Sequence, residues 1–136
     1  MNEPLVLDTH SLVWLVEGDP SLGLVARELA QAALEADGLM VPAICFWEIA
    51  MLVRSGRLTI SVTTAEWHRG TLELGTLEAP VTGQIGILAG DLADLPGDAS
   101  DRIITATAMV RTATLLTADR RILGWSGNVL RQDARE

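Results

Sequence analysis

Short apolar runs separated by helical stretches limit most strongly what this chain can fold into. Leu5-Val6-Leu7, Leu39-Met40-Val41 and Thr114-Leu115-Leu116-Thr117 lack polar alternation and are too short for helices. Such runs are expected of strands buried on both faces of a parallel sheet. Leu77-Glu78-Ala79-Pro80 and Val129-Leu130 are further strand candidates, the first weakened by its proline. Between these runs the pattern changes to a helical period. Residues 11–16 form a short apolar stretch closed by Gly18-Asp19-Pro20, and Leu22, Val25, Ala26, Leu29 and Ala33 mark a helix over 22–36 that Asp37-Gly38 stops. Pro42 suits the first turn of a third helix running to about residue 53, where Ser55-Gly56 ends it. Thr63 and Glu66 have capping-box spacing for a helix over 64–74. Residues 82–92 and 100–110 read as two more helices, and 119–123 as a helical turn. The expected architecture is α/β: one domain over residues 1–136, with a central parallel sheet of four to five short strands flanked by helices on both faces.

With 49% apolar and 21% charged residues, disorder is not expected. No run of about 18 apolar residues is present to span a membrane, and Met1-Asn2-Glu3-Pro4 lacks a signal peptide's basic start, so a cytoplasmic protein is the simplest expectation. Cys45, the single cysteine, lies in an apolar run and reads as a small core residue. The net charge of −8 argues against a globally basic nucleic-acid surface. All ten basic residues are arginine, the better bidentate phosphate ligand. The absence of lysine excludes an ordinary P-loop NTPase.

Ligands of open parallel sheets bind beyond the carboxyl ends of the strands. Asp8 directly follows one apolar run and Asp119 follows another after one residue. Each is equally suited to cap the following helix. Glu48 is the only charge in Ala43-Ile44-Cys45-Phe46-Trp47-Glu48-Ile49-Ala50-Met51-Leu52-Val53. A helix apolar all round is largely buried, and a lone buried carboxylate needs a partner. Glu48 therefore points to a polar site, unless it lies on a narrow solvated strip or pairs with Arg54 or another arginine. Asp101 begins an otherwise apolar helix, where an acid often serves only the helix dipole; Asp98 can cap that helix and free Asp101. Two carboxylates about 4 Å apart repel by roughly 4 kcal/mol at an effective dielectric near 20. Four together call for a counter-charge, and a hard divalent cation bound by oxygen ligands supplies one. His10 and His68 are isolated, with no Cys/His spacing for zinc, although His10 is close enough to Asp8 to contact the site.

Asp8-Thr9-His10, Trp47-Glu48-Ile49-Ala50, Asp98-x-x-Asp101-Arg102-Ile103-Ile104-x-Ala106-Thr107-Ala108 and Leu115-Leu116-Thr117-Ala118-Asp119 together resemble the signature blocks of PIN-domain nucleases. The similarity is strongest to the VapC-type toxins of toxin–antitoxin pairs, and covers nearly the whole chain in the same order. The resemblance implies a Mg²⁺- or Mn²⁺-dependent ribonuclease whose metal and catalytic residues are Asp8, Glu48, Asp101 and Asp119. It also implies an RNA substrate, a cognate antitoxin that enters the active-site groove, and a homodimer or toxin–antitoxin hetero-oligomer. One departure is Gly97-Asp98-Ala99-Ser100-Asp101-Arg102, where many relatives have Asp-Pro-x-Asp-Arg; without the proline the turn is expected to be looser. Arg102 is a candidate for substrate phosphate or antitoxin carboxylate, or else a surface arginine or a partner for Asp98. Trp14, Trp47, Trp67 and Trp125 are expected in core or interface packing. Two other classes compete: an aspartate-based phosphoryl-transfer domain, disfavoured by the missing lysine, and a binding module that keeps the fold without catalysis.

Overall fold

The computed structural model describes residues 3–136. Five parallel strands, β1 (Leu5–Leu7), β2 (Leu39–Pro42), β3 (Leu77–Ala79), β4 (Thr114–Thr117) and β5 (Arg131–Asp133), form one sheet in the order β3-β2-β1-β4-β5. Seven helices connect or follow them: α1 (Thr9–Glu17), α2 (Leu24–Glu35), α3 (Ile44–Arg54), α4 (Thr64–Glu73), α5 (Gly83–Asp91), α6 (Ala99–Val110) and α7 (Arg120–Leu123). β1 and β2 are buried throughout, and β4 is buried except at Thr114, which explains their unbroken apolar sequences.

From β1 the chain winds outward through β2 to β3, then returns to place β4 on the other side of β1. The sheet therefore changes winding direction between β1 and β4, and loops leaving their carboxyl ends part to form a crevice. Asp8 and Asp119 are the residues at those exits.

The main core joins Leu7, Leu12, Leu39, Val41, Cys45, Ile49, Ile104, Leu115 and Leu116. Ala106 closes a smaller cluster with Ile85 and Ala89. Thus α6 is covered on two sides, and its small residues admit that approach. Its buried Thr105 and Thr107 hydroxyls donate to the carbonyls of Asp101 and Ile103, so neither is left without a partner.

Two expectations are corrected. Pro42 ends β2 instead of entering α3. The β1 ladder on β2 stops at Met40, so no neighbour on that side calls for the missing proline N–H, and Ala43 N–H donates to Ala79 O at 2.8 Å. The fifth strand is Arg131–Asp133, not Val129-Leu130. Leu130 is 65% exposed, whereas Arg131 donates to the carbonyls of Ile122, Trp125 and Gly127. The segment after β5 returns to α2: Gly23 N–H donates to Ala134 O at 2.8 Å and Val25 N–H to Glu136 O at 2.7 Å. A Cβ at Gly23 would lie 2.1 Å from the Glu136 backbone, so glycine is required there.

Candidate active site

The crevice opens into a groove of about 690 Å³. Asp8, Glu48, Asp101 and Asp119, the four acids expected from the sequence, all line it, together with Asp19, Asp98 and His10.

Asp8 is the N-cap of α1, and Oδ1 accepts from Ser11 N–H at 2.9 Å. Its Oδ2 accepts from the Thr117 hydroxyl at 2.6 Å, and both residues are buried. Thr117 Oγ1 in turn accepts Asp119 N–H at 3.1 Å. One hydroxyl at the end of β4 thereby ties the loop leaving β1 to the loop leaving β4. Glu48 is half-buried on α3, and Oε1 accepts from the Thr9 hydroxyl. Its helix is less enclosed than the sequence implies, because Trp47 is 56% and Met51 40% exposed. No ion pair joins Glu48 to Arg54 among the described residues.

Asp98 and Asp101 close α6 reciprocally. Asp101 N–H donates to Asp98 Oδ1 at 3.1 Å, and Asp98 N–H donates to Asp101 Oδ2 at 3.2 Å. Asp98 is therefore the cap, but Asp101 is an engaged partner in the box. The turn lacking proline is closed by these bonds and by Gly97, whose φ of +110° brings its backbone against Asp101. A Cβ there would meet Asp101 Oδ2 at 2.6 Å. Burial, reinforced by the charges of Asp98, Asp119 and Glu48, pushes the Asp101 carboxyl up to about 6. The Asp101 N–H instead lowers Asp98.

Asp119 caps α7 through Arg121 N–H at 2.9 Å. The Arg121 guanidinium grips both carboxylate oxygens, and this contact holds Asp119 below the usual carboxylate range. Both readings of the strand-end acids hold at once: Asp8 and Asp119 are caps, and they face the groove. Among the described residues, no three His, Cys, Asp or Glu side chains stand close enough to enclose a metal ion by themselves.

Several contributors were not singled out by sequence. Thr9, Thr117 and Gly97 position the acids, and Arg57, Arg121 and Arg135 line the groove. A threonine ending a strand and a glycine before a capping box are the only signals these residues offered. Arg102 has another role: its guanidinium donates to the carbonyls of Ala89, Gly90, Leu92 and Leu95, fastening the loop after α5. Trp67 and Trp125 are buried, Trp14 lines the groove beneath Arg135 at 5.8 Å, and Trp47 is exposed. Burial pushes the Cys45 thiol well above its ordinary range, as befits a core residue.

The sheet order and the acid groove define a PIN fold, and the PIN domain family model matches residues 5–124. This chain belongs to the PIN-domain family. It is 31% identical over 119 residues to Ribonuclease VapC22 of Mycobacterium tuberculosis, spanning 87% of this chain and 88% of that one. The fold is similar to DNA-bound VapBC from Salmonella typhimurium, at a TM-score of 0.71 and 17% identity, over 96% of this chain and 98% of that one. It is also similar to a toxin–antitoxin complex from Klebsiella pneumoniae, at a TM-score of 0.62 and 21% identity, over 93% and 95%.

Proposed function

We propose that this chain acts as one metal-dependent endoribonuclease unit, the toxin of a toxin–antitoxin pair. The observation that carries this reading is the convergence of Asp8, Glu48, Asp101 and Asp119 on one groove at the sheet's switch point. Family membership and the ribonuclease relative support it.

The donor chemistry fits Mg²⁺ or Mn²⁺. Every candidate ligand is a carboxylate oxygen, and Mg²⁺ commonly takes one or two of these while keeping several waters. The Asp101 carboxyl is raised first by burial and then by the neighbouring carboxylates, and a bound cation would offset the charge part of that penalty. Asp8 and Asp101 would be the primary ligands in this reading, with Glu48 and Asp119 the other carboxylates the groove offers and waters completing the shell. A bound divalent ion supplies Lewis-acid polarisation of a phosphodiester and a more acidic water. The chain's own part is positioning. Ser11 and Thr117 fix both oxygens of Asp8, and Thr9 fixes Oε1 of Glu48, leaving Oε2 available. Arg57 and Arg135 border the acids and offer charge to an RNA backbone that the chain's net −8 would otherwise repel.

The apolar wall of Val13, Trp14, Met51 and Leu58 offers a cognate antitoxin a surface beside the acids. Solved relatives are toxin–antitoxin assemblies, which supports a hetero-oligomer. Among the described residues no helix is long and apolar enough to cross a membrane, and a cytoplasmic setting suits an RNA target.

The test uses antitoxin-free protein and structured RNAs in Mg²⁺, in EDTA, and as Asp8→Asn. Cleavage is expected only for the wild-type chain with Mg²⁺. Cleavage that survives EDTA or Asp8→Asn overturns the mechanism. Mg²⁺ binding without cleavage of any RNA favours the binding module.

A further inference from the structure

The positive charge standing among the carboxylates belongs to Arg121. Its Nε and Nη2 reach the two oxygens of Asp119 at 3.2 and 2.9 Å, and the same Nη2 lies 4.0 Å from Asp101 Oδ2. Asp119 Oδ1 also accepts the Arg121 backbone N–H. A guanidinium fork already neutralises the carboxylate it grips, so a second cation must compete with it. The Arg121 side chain is 61% exposed, so it can swing away from the groove into water.

We propose that Arg121 is an internal occupant of the cation site, a guanidinium that competes with a divalent ion for Asp119. Without the ion, Arg121 neutralises Asp119 and lies beside Asp101. An arriving ion would displace it from at least one Asp119 oxygen, and the exposed side chain would then swing away from the groove into water. Arg121 is a positioning residue in this scheme, because it acts on the ion through Asp119. The inference rests on reading the groove as a metal site.

The competition has a direct readout in metal affinity, independent of cleavage. Mn²⁺ is titrated calorimetrically into metal-stripped wild type, Arg121→Gln, Arg120→Gln, Asp119→Asn and the Asp119→Asn/Arg121→Gln double variant. Arg120 is the exposed neighbour that does not line the groove, so its variant controls for the loss of one positive charge. Removing a competing exposed ion pair should tighten Mn²⁺ binding by roughly fivefold in Arg121→Gln. Arg120→Gln should stay within about twofold of wild type, because among the described residues its exposed side chain pairs with no groove carboxylate and salt screens it. Once Asp119 is asparagine, Arg121→Gln should bring no further gain. If Arg121→Gln binds no tighter than Arg120→Gln, or its gain persists without Asp119, the inference is overturned while the metal site stands. If no form binds Mn²⁺, wild type included, the metal site falls and the inference with it.

Discussion

Thr117→Val removes one oxygen and keeps the side chain's shape, so it isolates what the hydroxyl contributes. That hydroxyl donates to Asp8 Oδ2 at 2.6 Å and accepts Asp119 N–H at 3.1 Å, at a fully buried position. A hydrogen bond to a charged group contributes about 1.5–3 kcal/mol, and a backbone N–H left without a partner costs about 1 kcal/mol or more. Asp8 is only 9% exposed, so water replaces the lost donor poorly. The expected loss is about 2–4 kcal/mol, which in a chain of this size lowers Tm by about 6–14 °C. Urea and thermal melts in EDTA measure it without any contribution from bound metal. Thr117→Ser keeps the oxygen and loses only a methyl, so it should recover most of the loss. A valine variant as stable as wild type refutes the reasoning. So does a serine variant as unstable as the valine one, which would assign the effect to methyl packing.

The raised Asp101 carboxyl predicts a pH dependence. Its folded value of about 6 lies above the unfolded value near 4, so its ionisation opposes folding. The stability tied to this group is full below about pH 4 and is lost as pH rises to about 6. In EDTA, the Tm–pH curve of Asp101→Asn should therefore fall less than that of wild type across this window; parallel curves contradict burial among like charges as the source of the shift. Arg102→Lys should destabilise the domain by roughly 2 kcal/mol in urea, because one ammonium cannot reproduce a planar fork reaching four carbonyls. Its Mn²⁺ affinity should remain at the wild-type level, and a large fall would return Arg102 to the site.

Much of the fold was legible because burial on both faces writes itself as an apolar run. Leu5–Leu7 and the core of β4 needed no further information. β5 is not legible in the same way, because an edge strand paired only with β4 can be polar, and its Arg131 is held by backbone carbonyls that sequence does not display. Pro42 reads as a helix start because the ladder length of β1, which excuses its missing donor, is a property of the assembled sheet. The four acids were legible for unequal reasons. Asp8 and Asp119 followed strands, while Glu48 stood alone in an apolar helix that proves only partly buried. Thr9, Thr117 and Arg121 stayed hidden because their roles depend on a neighbour brought up by folding. Arg102 misled because an arginine beside an acid gives no sign that carbonyls claim it first.

The tie between Asp8 and Thr117 spans 109 residues of chain. During synthesis at about 5–20 residues per second, Asp8 leaves the peptidyl-transferase centre roughly 5–20 s before the hydroxyl that fixes it. Parallel pairing of β1 with β4 is likewise a contact of high sequence separation, which belongs late in folding. The groove therefore exists only once β4 has joined β1, and a nascent or truncated form lacking β4 carries Asp8 without the groove around it.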